Sequence, residues 1–94
     1  MTTKLDPDAV AEAIVEIRRT ELENAARAVI GDREYVNSME LERLTGTPSS
    51  TWRYWVSVGQ GPESFLLGKR RVWPRTQLIR WLVAQEQASR PVND

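Results

Sequence analysis

The 94-residue sequence predicts a mainly α-helical fold with one small β-hairpin, and three patterns support that reading. Apolar residues recur at helical spacing in several separate stretches. Those stretches are punctuated by capping or breaking residues: Asp6-Pro7 and Gly31, Asn37 and Gly46, Thr47-Pro48 and Gly59. Between Pro62 and Pro74 the pattern changes, because Phe65-Leu66-Leu67 and Arg70 to Trp73 face each other across Gly68-Lys69, as the two strands of a hairpin do.

The first helix opens at Asp6 and Pro7, a cap and a first-turn proline, with Asp8 and Glu12 at the positive end of its dipole. It runs to Ile30 and stops at Gly31, a length of about 36 Å at 1.5 Å per residue. Val10, Ile14, Ile17, Leu22 and Val29, with Ala25 between, read as one slowly drifting apolar stripe. Such a stripe has to be covered, either by folding back on the rest of the chain or by pairing with the same helix of a second copy. Gly31 and Asp32 read as a hinge, and Tyr35-Val36 as a short extended piece. Asn37 caps the second helix and Glu40, three residues on, completes a capping box. Met39, Leu41 and Leu44 supply its apolar positions. Gly46 ends it.

Only about four residues separate Leu44 from Pro48, the tight spacing of two helices joined as a helix-turn-helix. The helix that follows, from Thr47 to Gly59, is the stretch around which the chain is organised. Thr47 reads as its cap and Pro48 as its first residue. A 3.6-residue period places Trp52, Trp55 and Val56 inward and Ser49, Ser50, Arg53, Tyr54 and Ser57 outward. Small hydroxyls, one guanidinium and one phenol make a face suited to base edges and phosphates. Ser49, Ser50, Arg53, Tyr54 and Ser57 are therefore the candidate contacts to base edges, and Thr47 and Arg75 the candidate phosphate contacts.

Beyond this helix, Gly59-Gln60-Gly61-Pro62 forms a break before the hairpin. Lys69, Arg70 and Arg71 follow one another at its tip, so at least two of them must point away from any core. Three adjacent cations on a projecting ribbon read as a probe of phosphates or of the minor groove, although cations on a ribbon also guard its edges. Pro74 ends the second strand and Thr76 reads as a cap. A last helix runs from about Arg75 to Ala88, with Leu78, Trp81 and Leu82 on one face, expected against the hairpin and Trp52 or Trp55. The four tryptophans read mainly as core, Trp73 being the one whose strand-end position also suits a stacking surface.

Composition narrows the function classes. The formal net charge is zero, yet residues 1–44 hold ten acids against six bases and residues 45–94 hold three acids against seven bases, so the halves carry −4 and +4. Between Thr45 and Leu82 the bases Arg53, Lys69, Arg70, Arg71, Arg75 and Arg80 meet only Glu63, which implies a basic face on a neutral protein. With no cysteine and no histidine there is no disulfide and no ordinary zinc site; no metal, cofactor or catalytic residue is expected. The usual acid, base and nucleophile sets of an enzyme are missing too. No apolar run suits a membrane span or a signal peptide, so the chain reads as cytoplasmic.

The order helix, tight turn, helix, Gly-Pro break, basic hairpin, helix resembles the winged helix-turn-helix of phage excisionases and their MerR-like and AlpA-like relatives. The likeness covers about Tyr35 to Leu82. It rests on Tyr35-Val36-Asn37, Gly46, Ser50-Thr51-Trp52-Arg53-Tyr54-Trp55, Gly59 with Pro62, Gly68-Lys69-Arg70-Arg71, and Leu78 with Trp81-Leu82. It implies that the second helix of the motif enters the major groove through Ser49, Ser50, Arg53, Tyr54 and Ser57. The wing residues Lys69, Arg70 and Arg71 would then reach the neighbouring minor groove or backbone. Two departures stand out: Glu42 occupies a position that is usually small and apolar, and the long helix before Asp32 lies outside the family's small core.

The expected organisation is therefore an N-terminal helical arm (1–31), a winged helix-turn-helix DNA-binding domain (32–88) and a frayed tail (89–94). The expected function is sequence-specific binding of double-stranded DNA as an excisionase, a recombination directionality factor that bends attachment-site DNA for a phage integrase. A transcription regulator and a protein-interaction adaptor are the alternatives. A homodimer through Val10, Ile14, Ile17, Leu22 and Val29 is the expected assembly.

Overall fold

The first helix begins where its cap residues stand. In a computed structural model of the chain, which describes residues 6–89, the Asp8 N–H donates to the Asp6 carboxylate at 3.0 Å and Pro7 is the first residue of α1 (Pro7–Ile30). Gly31 closes α1 with φ 64°, its N–H donating to the Arg27 carbonyl at 2.8 Å. There follow β1 (Tyr35–Val36), α2 (Ser38–Thr45), α3 (Ser49–Ser57), β2 (Phe65–Leu67), β3 (Arg70–Pro74) and α4 (Arg75–Ala88). The fold is thus mainly α with a small sheet: a winged helix-turn-helix preceded by a long N-terminal helix. Apart from Ser89, the tail expected at 89–94 lies outside the described residues. Among those described, no helix is long and apolar enough to cross a membrane.

The α2 capping box forms as its residues dictate: Glu40 N–H donates to Asn37 Oδ1 at 2.9 Å, and Asn37 N–H to Glu40 Oε1 at 3.0 Å. The hairpin is joined by Gly68-Lys69 alone, with Leu67 opposite Arg70. Gly68 has φ 67° and Lys69 does not share a positive φ, which is a type II′ turn, the geometry whose twist matches its strands. The hairpin is not alone, however. Residues 35–36 pair antiparallel with β3, Tyr35 opposite Pro74 and Val36 opposite Trp73, so the sheet has three strands in the order β1-β3-β2.

Trp52 of α3 sits at the centre of the core with Ile30, Val36, Leu41, Trp73 and Leu78. Its ring meets those of Trp55, Trp73 and Trp81 edge to face, at centroid distances of 5.0, 6.3 and 5.9 Å. Trp73 is buried, so the stacking-surface alternative for it falls away. Trp81 and Leu82 pack against this core as their helical face requires.

The α1 stripe is not one stripe. Val15, Leu22, Ala26, Val29 and Ile30 pack inward, Ala26 being buried with Ile79 and Val83 of α4. Val10, Ile14 and Ile17 lie roughly 100° or more around the helix from Val15 and stay exposed. Reading spacings of three to five as drift merged two faces into one. The inner face makes the second half of α1 part of the common core, so the boundary drawn at residue 31 does not divide an arm from an independent head. Arg18 strengthens this seam with a two-pronged contact to Glu86 of α4, Nε to Oε1 at 2.9 Å and Nη2 to Oε2 at 2.6 Å. Those bonds hold the Glu86 carboxyl below its usual range.

Nor is the turn at Gly31 and Asp32 a free hinge. Arg75 Nη1 donates to the Gly31 carbonyl at 2.9 Å, Arg75 N–H donates to the Glu34 carbonyl at 2.7 Å, and Arg33 bridges the Ile30 carbonyl and the Glu40 carboxylate. These bonds join α1, β1, α2 and α4 at one corner. They leave little room for independent rotation.

Candidate nucleic-acid interface

The start of α3 is built differently from the expectation. Thr47 does not cap it: the Thr47 N–H donates to Thr45 Oγ1 at 3.2 Å, and Pro48 occupies the cap position without a side-chain bond. The cap comes from the preceding helix instead, because the Ser49 N–H donates to Glu42 Oε1 at 2.7 Å. A carboxylate at the positive end of a helix is favourable, and this one also ties α2 to α3 across the tight turn. Glu42, whose place on α2 stood out in the sequence, is thus engaged at the start of α3. Thr76 likewise caps nothing, since α4 starts straight from β3 with Pro74 at its cap.

With its inner face anchored by Trp52, Trp55 and Val56, α3 presents Ser50, Arg53, Tyr54 and Ser57 to solvent, Tyr54 at 61% exposure. Ser49 is half-buried and sits at the capped end. The Ser57 hydroxyl donates to the Tyr54 carbonyl at 2.6 Å, which leaves its oxygen lone pairs as acceptors. Four of the five residues expected in a groove are therefore on one open face, and Ser49 at its edge.

Strand register orders the wing. Partners across the hairpin share a face, so Leu66 and Arg71 lie on the side that carries Val36 and Trp73, the side packed on α3 through Trp52. Leu67 and Arg70 lie on the other side with Phe65, Val72 and Tyr35, where Tyr35 and Phe65 meet edge to face at 5.4 Å. Lys69 and Arg70 are exposed, whereas Arg71 is half-buried with its Nη1 3.4 Å from Ser64 Oγ. Arg75 does not join them. Its guanidinium holds the Gly31 carbonyl and stands 3.8 Å from Glu34, with only 19% of the side chain exposed, so it is engaged within the chain as a structural clamp. Thr47 is half-buried.

Pairing separates the arginines more sharply than position does. Arg18, Arg19, Arg27, Arg33 and Arg75 each have a carboxylate within ion-pair range. Arg53, Lys69, Arg70 and Arg71 have none among the described residues, and neither do Arg43 of α2 and Arg80 of α4. Most of the unpaired cations are thus carried by α3 and the wing.

Of the expected dimerisation residues, Leu22 and Val29 pack within the chain, and only Val10, Ile14 and Ile17 remain free for a partner. Sequence reasoning missed the Glu42 cap and the exposure of Leu66 and Leu67. The first was masked by Thr47, which offers a nearer polar cap in the sequence; the second had no signal, because an apolar run such as Phe-Leu-Leu does not say which faces of a strand will be covered. Comparison of the chain with known protein families, with curated proteins and with solved structures finds no significant match.

Proposed function

We propose that this protein binds double-stranded DNA in a sequence-specific way, with α3 in the major groove and the β2–β3 wing on the adjacent minor groove or backbone. The observation that carries this reading is the concentration of uncompensated cations, Arg53, Lys69, Arg70 and Arg71, on two elements whose outer surfaces suit a groove. Arg53 would read guanine, while Ser50, Tyr54 and Ser57 approach neighbouring edges and phosphates. Lys69 and Arg70, at the tip, would hold the backbone. The biological role that fits best is that of an excisionase, which binds and bends attachment-site DNA and directs a phage integrase toward excision without chemistry of its own. Footprinting on attachment-site DNA, with and without an integrase, tests it. Protection of repeated sites together with stimulated excision is expected, and binding that never alters recombination would reject the role.

A transcription regulator is the second reading, favoured by the exposed row Val10, Ile14 and Ile17. Those three residues recur at the spacing of a helix–helix seam, so a homodimer through the outer face of α1 would place two α3 helices on paired half-sites. Because α1 is clamped to the rest of the chain, such a dimer would set their separation rigidly. The adaptor alternative predicts no salt-dependent binding to DNA.

A further inference from the structure

Two adjacent leucines on the wing are left in water. Leu66 is 58% exposed and Leu67 53%, on a strand whose three residues are all exposed. They have the same side chain and almost the same exposure but opposite directions. Leu66, opposite Arg71, lies on the α3 side of the sheet, two residues nearer the tip than the register position of Trp73; Leu67, opposite Arg70, lies on the far side beside Phe65.

The surroundings of Leu66 select its partner. Arg71 is directly across from it and Lys69 stands at the turn, while the acid of this segment, Glu63, lies at the other end of β2. An apolar side chain flanked by cations suits a surface that offers phosphates on either side of an apolar slot. Duplex DNA offers that slot when a base step opens toward the minor groove: a wedge residue enters, the step unstacks and the helix kinks toward the major groove. Pyrimidine–purine steps open most readily.

We propose that Leu66 is such a wedge, inserted by the wing into the minor groove next to the major-groove segment occupied by α3, and that Leu67 is not. The proposal rests on the DNA-binding reading and adds a means of bending to it. Bending then comes from one leucine, positioned by strand register, and not from charge neutralisation alone.

The test uses the intact protein and a mixed-sequence duplex of about 30 base pairs with a central TA step, at low salt where non-specific contacts suffice for binding. End-to-end energy transfer reports the bend, and 2-aminopurine at the central step reports unstacking. Leu66→Ala should lose most of both signals while its affinity falls by less than about tenfold, since the phosphate contacts remain. Leu67→Ala should bend DNA like the parent, and Leu66→Met, which keeps an apolar wedge, should as well. Equal behaviour of Leu66→Ala and Leu67→Ala overturns the wedge and leaves the DNA-binding reading standing. Self-association without DNA that Leu66→Ala abolishes also overturns it, by assigning the leucine to a second copy of the chain. If the parent itself fails to bind the duplex at low salt, the DNA-binding reading fails and the wedge fails with it.

Discussion

The arginines of α1 and those of α3 and the wing share one side chain and live in opposite circumstances. Arg18 lies between Glu21 and Glu86, Arg19 between Glu16 and Glu23, and Arg27 beside Asp32. Arg53, Lys69, Arg70 and Arg71 face no carboxylate among the described residues. A chain of zero net charge can therefore carry a polyanion-binding face, because its acids neutralise bases in one region and leave them bare in another. Net charge averages over the two regions, and a long polyanion does not. Exposed ion pairs contribute little stability each, so the acids of α1 matter as much for confining positive potential to one side as for holding the helix.

The largest effect should come from removing the paired region outright. A chain that begins at Asp32 lacks Val15, Leu22, Ala26, Val29 and Ile30 and uncovers Ile79 and Val83 of α4. Removal of each large core side chain costs about 2 to 5 kcal/mol against a typical total of about 5 to 15 kcal/mol. Such a truncation should show no cooperative thermal transition; a sharp one would mean that α1 is a separable arm after all. Within the intact chain, replacing both Ile14 and Ile17 by Asp should preserve the fold and abolish any dimer seen by sedimentation. A parent that sediments as a single chain at tens of micromolar would remove pairing from the picture.

Next in size is the unpaired region. Changing Lys69, Arg70 and Arg71 together to Ala should leave thermal stability within about 0.5 kcal/mol and weaken binding to every duplex. The slope of log affinity against log salt should flatten by about 0.9 for each phosphate that is no longer neutralised. A slope that does not move would take the wing off the DNA. Arg53→Ala should cost about 1 to 3 kcal/mol on the preferred site if the guanidinium reads guanine, and far less on random sequence. Equal losses on both would place Arg53 on the backbone.

The smallest effect lies back in the paired region and involves no DNA. The Arg18 hydrogen bonds lower the Glu86 pKa on folding, so this pair stabilises the protein at pH values above the ordinary glutamate range. That contribution is lost as pH falls through the lowered value. Glu86→Gln should therefore melt slightly earlier than the parent at neutral pH, with the gap closing in acid, and its DNA affinity should be unchanged. A gap that widens in acid would mean that the pair does not act as the geometry indicates.

What was legible in the sequence was local. The bounds of α1, the capping box of Asn37 and Glu40, the hairpin turn and the inward tryptophans each depend on residues within a few positions of one another. What escaped was set by partners far along the chain or across a turn. Nothing near Tyr35 announces that β1 pairs with β3, and nothing near Arg75 announces that its guanidinium will clamp Gly31. Helical spacing showed that α1 is apolar but could not say which of two faces would meet α4. For the candidate site the residue types were readable, but the division into engaged and unengaged cations depended on which acids the fold brings close. Thr47 and Thr76 failed as caps for a related reason, since Glu42 and the direct β3–α4 junction settle those helix starts.

The indole cluster has one further consequence, an optical one. Every tryptophan and every other aromatic residue lies at or beyond Tyr35, so α1 is silent in near-ultraviolet absorption and emission. The four indoles come from α3, β3 and α4; Trp55, Trp73 and Trp81 each meet Trp52 edge to face, and Trp55 and Trp81 also lie close together. Their emission colour and their coupled circular dichroism therefore report the seating of α3 on the sheet and on α4, with no background from α1 and no added label. A substitution on α1 that shifts this spectrum has been felt in the indole core on which α3 is seated.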